Sequence, residues 1–483
     1  MIQSFLLLLL LIFISILSFF LPRNYDDFSL FLIMLIALIG LIFHLSRNET
    51  HQELKKQYLK ISNLFLLGYL IVGFQNYIDL LLGNNNLSDY ELWVNPNNIV
   101  YSASVVTAGL LSYLIGNSYT FNVSNRNSYY QPKFTNLFLL KLLLTFVVIV
   151  FFATVNKEYL FGGYALGVEM GPVAKYMALI FHGVIFSIII LHTRNVHIKE
   201  KSKLTVLNYI KSYGLLVVLS TLFYLIGVLI SGDRGPIITI VMGFTIGYVY
   251  LTNIKIKAKL LIIIGFMAAI VITFLGRLRA IVTEETFTDK LRVLFAGQDL
   301  ETKKSFLQPT KELAGSINTV HYVINYIPEK YGFFYGKFQL LEIRDSIPFL
   351  TGFIKNSGYI IAAEDKSISD YITWLAQGDY ATYGNGSSII ADFYTAFGII
   401  SVIISMFVFG VFIRTLDVEL FKKRQLSVVM QTTAFVYFAN SIYISRSYAL
   451  DSFKLIFMVL IIIFINKIMV IASKEIGIGL KNQ

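Results

Sequence analysis

Runs of about 18 or more apolar residues, each long enough to cross roughly 30 Å of hydrocarbon as a helix, recur along almost the whole chain. That recurrence constrains the fold before any motif is considered. It predicts an all-α polytopic membrane protein. The 483 residues are 56% hydrophobic and only 14% charged, with a mean hydropathy of +0.68, which leaves little room for a separate soluble domain. The first run, "FLLLLLLIFISILSFFL", lacks a basic leader region and an A-x-A-like site, so it reads as an uncleaved span.

Hydropathy predicts about twelve spans. They lie near Ser4 to Leu21, Phe28 to His44, Ile61 to Leu82, Ile99 to Asn117, Asn136 to Val155 and Val173 to Thr193. The others lie near Ile210 to Ile230, Pro236 to Leu251, Leu260 to Leu275, Ser387 to Ile413, Leu426 to Ile442 and Leu455 to Ser473. With both termini cytoplasmic, the inside loops "SRNETHQELKKQYLK", "NVSNRNSYYQPK", "RNVHIKEKSK", "TNIKIKAK" and "FKKRQ" are all net basic. The opposite loop "GNNNLSDYELWVNPNN" has acids and no Lys or Arg, so the charge bias sets an orientation. The net charge of +11 is then explained by inside loops and anionic membrane lipids rather than by nucleic acid.

This threading divides the chain into spans one to nine (1–275), an outer cap (276–386) and spans ten to twelve (387–483). A loop of that size is far outside the usual connection length and is expected to carry function. Within it, "TEETFTDKLRVLF" has apolar residues at helical spacing and is expected along the membrane surface. "TKELAGSINTVHYVINYI" places Leu313, Ile317, Val320, Ile324 and Ile327 on one stripe. Its polar side carries Lys311, Glu312, Asn318 and Asn325, with His321 at the stripe's edge.

Candidate chemistry centres on "LISGDRGPI" at the outer start of the eighth span. Ser231 and Asp233 are helix-capping types, and Pro236 suits a first helical turn. Free backbone N–H groups, glycines and the Arg234 fork together would bind an anion; the plainer alternative is an arginine reaching lipid headgroups. Arg277, Arg279, Arg344 and Arg446 fall on the same predicted face, which the charge bias otherwise depletes of cations. Several such arginines suggest a site for a membrane-anchored anion such as a lipid-linked phosphate or diphosphate. His321 is the expected general base or else a packed helix residue, with Glu312 and Asp392 the next carboxylates to consider. In the spans, His182 and the cluster Gln75, Asn76 and Asp79 are either functional or hydrogen-bonded to neighbouring helices. The absence of cysteine excludes thiolate metal sites, and no D-x-D pair or His/carboxylate spacing indicates a metal, so none is expected and no cofactor either.

"SGDRGP" before an apolar span, a large outer loop, and then "GNGSSIIADFYTAFGIISVIISMFVFGVFI" resembles the Wzy-type oligosaccharide repeat-unit polymerases of O-antigen and capsule assembly. "ELAGSINTVHYVINYIP" and "YGFFYGK" are similar to that family's outer loop. The tail motif departs from the family's expected glutamate and asparagine at Asp392 and Ala396. The resemblance implies a GT-C-like glycosyltransferase acting at the outer face of the cytoplasmic membrane on undecaprenyl-diphosphate-linked oligosaccharides. It also implies work alongside chain-length regulator and flippase proteins. Arg234 matches the family's loop arginine directly, and Arg277 and Arg279 match by position. An O-antigen ligase is the nearest alternative, and a lipid-linked oligosaccharide flippase or other transporter is the alternative from another class.

Overall fold

The computed structural model describes residues 2–21, 24–49, 51–121, 137–160, 168–195, 204–256, 259, 305–356, 365–422 and 426–475. The predicted ninth span, the segment "TEETFTDKLRVLF", and the candidates Arg277 and Arg279 lie outside the described residues. Among the described residues all regular structure is helical. The first group comprises α1 (Ile2–Phe20), α2 (Asp27–Leu45), α3 (Ile61–Leu81), α4 (Tyr90–Trp93), α5 (Ile99–Gly116), α6 (Leu137–Thr154) and α7 (Lys157–Leu160). It continues with α8 (Pro172–Asn195), α9 (Val206–Ser212), α10 (Leu215–Ser231) and α11 (Gly235–Thr252). The cap contributes α12 (Lys311–Ala314), α13 (Asn318–Tyr326), α14 (Lys337–Ser346), α15 (Leu350–Asn356) and α16 (Ile368–Gln377), and α17 (Ile389–Phe397) follows it. The chain closes with α18 (Ile399–Phe421), α19 (Val428–Asn440) and α20 (Asp451–Glu475).

Nine of the described helices are long and apolar enough to cross a membrane, or ten if α9 and α10 form one span bent by 101°. Three expectations change. The predicted seventh span is that bent pair, hinged at Tyr213 and Gly214. The predicted eleventh span is α19, only 13 residues against the roughly 20 a straight crossing needs. The predicted tenth span is two helices, because Gly398 takes φ +68° and ψ −143°, a conformation that L side chains avoid. The long helix therefore runs Ile399–Phe421, and α17 belongs to the layer beneath the cap.

Two helices organise the packing. α5, rich in Ser, Ala, Gly and Thr, is buried along nearly its whole length and is flanked by α1, α2 and α18. Small residues let those neighbours come close, as packing between membrane helices requires. Phe65 bridges the contact, with ring centroids 4.7 Å from Tyr113 and 5.0 Å from Phe409. α8 is the second centre, touching α6, α11, α19 and α20.

Charged groups pin the end of the bundle opposite the cap. Arg414 of α18 makes hydrogen bonds to both oxygens of Glu49, and Lys60 lies 3.6 Å from the same carboxylate. Burial alone would raise the Glu49 carboxyl, but the hydrogen bonds and charge of Arg414 hold it down at about 2. Asp417, fully buried on α18, accepts the backbone N–H groups of Ile61 (2.8 Å) and Ser62 (3.1 Å). It caps α3 from a distance, since Lys60 at the cap position provides no side-chain acceptor. Asp417→Ala is expected to cost about 2 kcal/mol by leaving two buried donors unmet, and Asp417→Asn less. Thermal unfolding of the purified protein measures both.

Candidate active site

At the cap end, α10 stops where Gly232 adopts a left-handed conformation, φ +86°. The Asp233 carboxylate then accepts the backbone N–H of Gly235 (3.2 Å) and the Tyr159 hydroxyl (3.3 Å). Pro236 opens α11, as its fixed φ suits a first turn. This tight turn sets the direction of Arg234, whose side chain is only 13% exposed.

Arg234 donates from Nη2 to Glu312 Oε2 at 2.6 Å. Arg446 approaches the other oxygen of the same carboxylate, Nη1 to Oε1 at 3.9 Å. Three separate parts of the chain therefore meet: the α10–α11 turn, α12 of the cap and the turn between α19 and α20. Tyr443 lines the same cluster. Burial pushes its phenol up to about 12, although Arg446 and Arg234 stand close enough to pull it down. Two guanidiniums held around one half-exposed carboxylate form a cradle that an incoming phosphate could enter by replacing Glu312.

The polar cluster of α3 turns out to place α12. Asp79 accepts the Ser305 hydroxyl (2.6 Å) and the Phe306 N–H (2.8 Å). Gln75 donates to the Leu307 carbonyl (2.8 Å) and accepts from the Thr310 hydroxyl (2.7 Å). Asn76 receives the Asn85 amide at 3.1 Å. The cap is thus stitched to α3 just before Glu312, and its own loop is the partner rather than a neighbouring span. His182 bonds the Ala178 carbonyl of its own helix at 2.7 Å.

Lys311 to Tyr326 forms one helical rod, with a tighter turn at Gly315–Ile317. Ile317, Val320, Ile324 and Ile327 are buried, as the apolar stripe predicts, and Asn325 bonds Asn95 (3.2 Å) and Asn98 (3.3 Å). His321 is fully buried beneath Tyr77, whose hydroxyl is 3.2 Å from Nε2, and Trp93, whose ring meets it edge-on at 5.2 Å. Burial pushes its imidazole down to about 3, so it is neutral at physiological pH. In this arrangement an acceptor hydroxyl reaches it only if α4 lifts away. The geometry therefore favours the packed-residue reading of His321 over the general-base one.

Arg344 and Asp392 face other partners. Arg344 bonds Asp345 Oδ1 (2.8 Å) and the Asp365 carbonyl (3.3 Å). Asp392, fully buried on α17, receives Gln339 Nε2 at 2.6 Å and lies close enough to Glu342 of α14 for the two carboxyls to influence each other. Burial and the neighbouring charge of Asp392 push the Glu342 carboxyl up to about 11. Burial also pushes Asp392 up to about 6, against its hydrogen bond from Gln339. Sequence reasoning found Asp392 but missed Glu342 and Tyr443, which carry no local motif.

Both folded-state values lie above the ordinary carboxylate range near 4, so the folded protein holds protons that the unfolded chain would release. The stability this gives is complete below about pH 4 and falls as pH rises through 6 toward 11. The midpoint of thermal unfolding is expected to drop by roughly 5 °C from about pH 5 to about pH 9, and Glu342→Gln to flatten that slope.

The family model described as O-antigen polysaccharide polymerase Wzy matches residues 1–474. No curated protein and no solved structure matches the chain.

Proposed function

The chain belongs to the Wzy family of O-antigen polysaccharide polymerases, and from that premise we propose that it joins undecaprenyl-diphosphate-linked oligosaccharide repeats at the outer face of the bacterial cytoplasmic membrane. The observation that carries this reading is the cradle of Arg234, Glu312 and Arg446 beneath the cap. A site for a lipid diphosphate must sit at the membrane surface, offer fixed positive charge and lie under a loop that can hold sugars. The proposed architecture is GT-C-like with twelve crossings, counting the bent pair, the short α19 and the predicted span outside the described residues.

In the proposed reaction, a hydroxyl at the end of an incoming lipid-linked repeat attacks the anomeric carbon of the growing chain. The bond from that carbon to the lipid diphosphate breaks, and the diphosphate leaves with the electron pair. Arg234 and Arg446 stabilise the charge growing on it, the kind of fixed electrostatic contribution that dominates such steps. Arg277 and Arg279 are proposed to join them. The hydroxyl proton passes to a carboxylate, and Glu312 is the best placed once the diphosphate has displaced it from the arginines. Asp233 supports the turn that aims Arg234, while Arg344, Asp392 and His321 act in holding the cap together. Excluding water beneath the cap favours transfer over hydrolysis. The donor arrives through a flippase, and chain-length regulators act on the same glycan.

The test is the length of the lipid-linked glycan in cells lacking the gene, with and without the intact protein restored. Single repeats accumulating on the lipid at the outer face, and converted to long chains on restoration, support polymerisation. Long chains persisting on the lipid would make the protein a ligase, and failure of any repeat to reach the outer face would make it a transporter.

A further inference from the structure

The cap exposes two apolar surfaces of different character. On α14 and α15, Leu340, Ile343 and Phe353 are exposed, with α14 packed on the spanning helix α20, where apolar side chains suit lipid. The other surface, at the end of α16, is built of tyrosine. α13 rests on α4, α5 and α17, and α16 packs on α13 in turn, so α13 lies between α16 and the spanning helix α5.

At that tip the loop 378–386 is held rigidly. Gln377 donates to the Tyr383 carbonyl (2.7 Å) and Asn385 Oδ1 (2.7 Å), and accepts the Thr382 N–H (2.9 Å). The Asn385 N–H bonds Thr373 (3.0 Å), and the Trp374 indole bonds Asp379 (2.9 Å). Yet the two rings this loop displays are largely bare, Tyr380 at 94% and Tyr383 at 61% exposure. Tyr383 and Tyr326 both lie close enough to Tyr322 of α13 to influence its phenol. Tyr331 closes the patch against Trp374, centroids 5.8 Å apart.

We propose that this tyrosine-rich tip binds the growing saccharide chain several sugars away from the reacting end. The inference rests on the polymerase reading. Aromatic faces stack on the C–H faces of sugar rings, and the phenol, amide and carboxylate groups around them match sugar hydroxyls; a lipid-facing belt would instead lie level with the spans. The patch also sits at a useful distance. Glu312 and Tyr322 to Tyr326 occupy one rod, and a rise of 1.5 Å per residue separates them by about 15–20 Å, a span of a few sugars. Holding the chain there keeps the product bound between additions, so the site sets product length rather than the chemistry of one transfer.

The chain has two tryptophans, Trp93, fully buried, and Trp374, part of the patch, so fluorescence reports the site. Polysaccharide freed of its lipid by mild acid, titrated into the full protein in nanodiscs, is expected to shift Trp374 emission in the wild type and in Trp93→Phe. The shift is expected to vanish in Tyr380→Ala/Tyr383→Ala. In cells that double variant is expected to shorten the most abundant chain several-fold while two-repeat product still forms. Chains of unchanged length from the double variant overturn the inference alone. Quenching of Trp374 by brominated phosphatidylcholine overturns it in favour of a lipid contact. A wild-type protein that makes no polymer overturns the polymerase reading and this inference with it.

Discussion

Arg234→Ala is expected to lower polymerisation at least about a hundredfold while the protein still accumulates in the membrane. The basis is geometric. Arg234 is mostly covered, aimed by the Asp233 turn and already in contact with a carboxylate that the proposed diphosphate would replace. Alanine removes the nearer of the two charges and leaves Arg446 at 3.9 Å from Glu312. Arg234→Lys is expected to recover only part of the activity, because an ammonium keeps the charge without the planar fork. Arg344→Ala is the comparison: its contacts are with Asp345 and the Asp365 carbonyl, so its effect on transfer is expected within about threefold. Gel analysis of lipid-linked glycan length, normalised to membrane protein level, reads all three. Full-length chains from Arg234→Ala would remove the cradle from the reaction.

Gly68→Ala is expected to be among the most damaging small substitutions in the spans. A Cβ at this position would lie 2.1 Å from the Ile442 carbonyl oxygen and 2.9 Å from its carbon. Both are backbone atoms, so no side-chain rotation relieves the clash, and the turn from Ser441 to Leu450 must move away from α3. Overpacking of this kind costs about 1–3 kcal/mol or more. The same turn carries Tyr443 and Arg446, so polymerisation is expected to fall further than abundance does. Gly315→Ala provides the contrast, since its Cβ would meet nothing within 4 Å and its backbone is already helical, φ −56°. It is expected to be neutral or slightly stabilising by thermal unfolding.

Much of this fold is legible in the sequence because the membrane imposes a single simple rule on span length and polarity. The rule misleads where backbone geometry rather than hydropathy decides. Gly398 interrupts an unbroken apolar run, and "FIRTLDVELF" continues as buried helix past Ile413 because Glu49 and the start of α3 satisfy Arg414 and Asp417. The arginine cradle is half legible. Charge bias alone singles out Arg234 and Arg446, and the polar side of an amphipathic helix singles out Glu312. Their meeting is a tertiary fact, joining residues 78 positions apart in the case of Arg234 and Glu312. His321 shows the opposite failure, since the periodicity places it at the stripe's edge but Tyr77 and Trp93, from distant segments, cover it.

The turn between α19 and α20 touches both ionic centres, presenting Arg446 to Glu312 on one side and the Ala449 backbone to Asp392 on the other. If the proposed diphosphate shifts Arg446 as it replaces Glu312, the same turn would carry that shift to Ala449 and so to the carboxyl pair's affinity for protons. Such linkage runs both ways. Diphosphate affinity should therefore vary with acidity even though the arginines themselves do not titrate in that range, and substrate capture should be accompanied by a measurable exchange of protons with the medium.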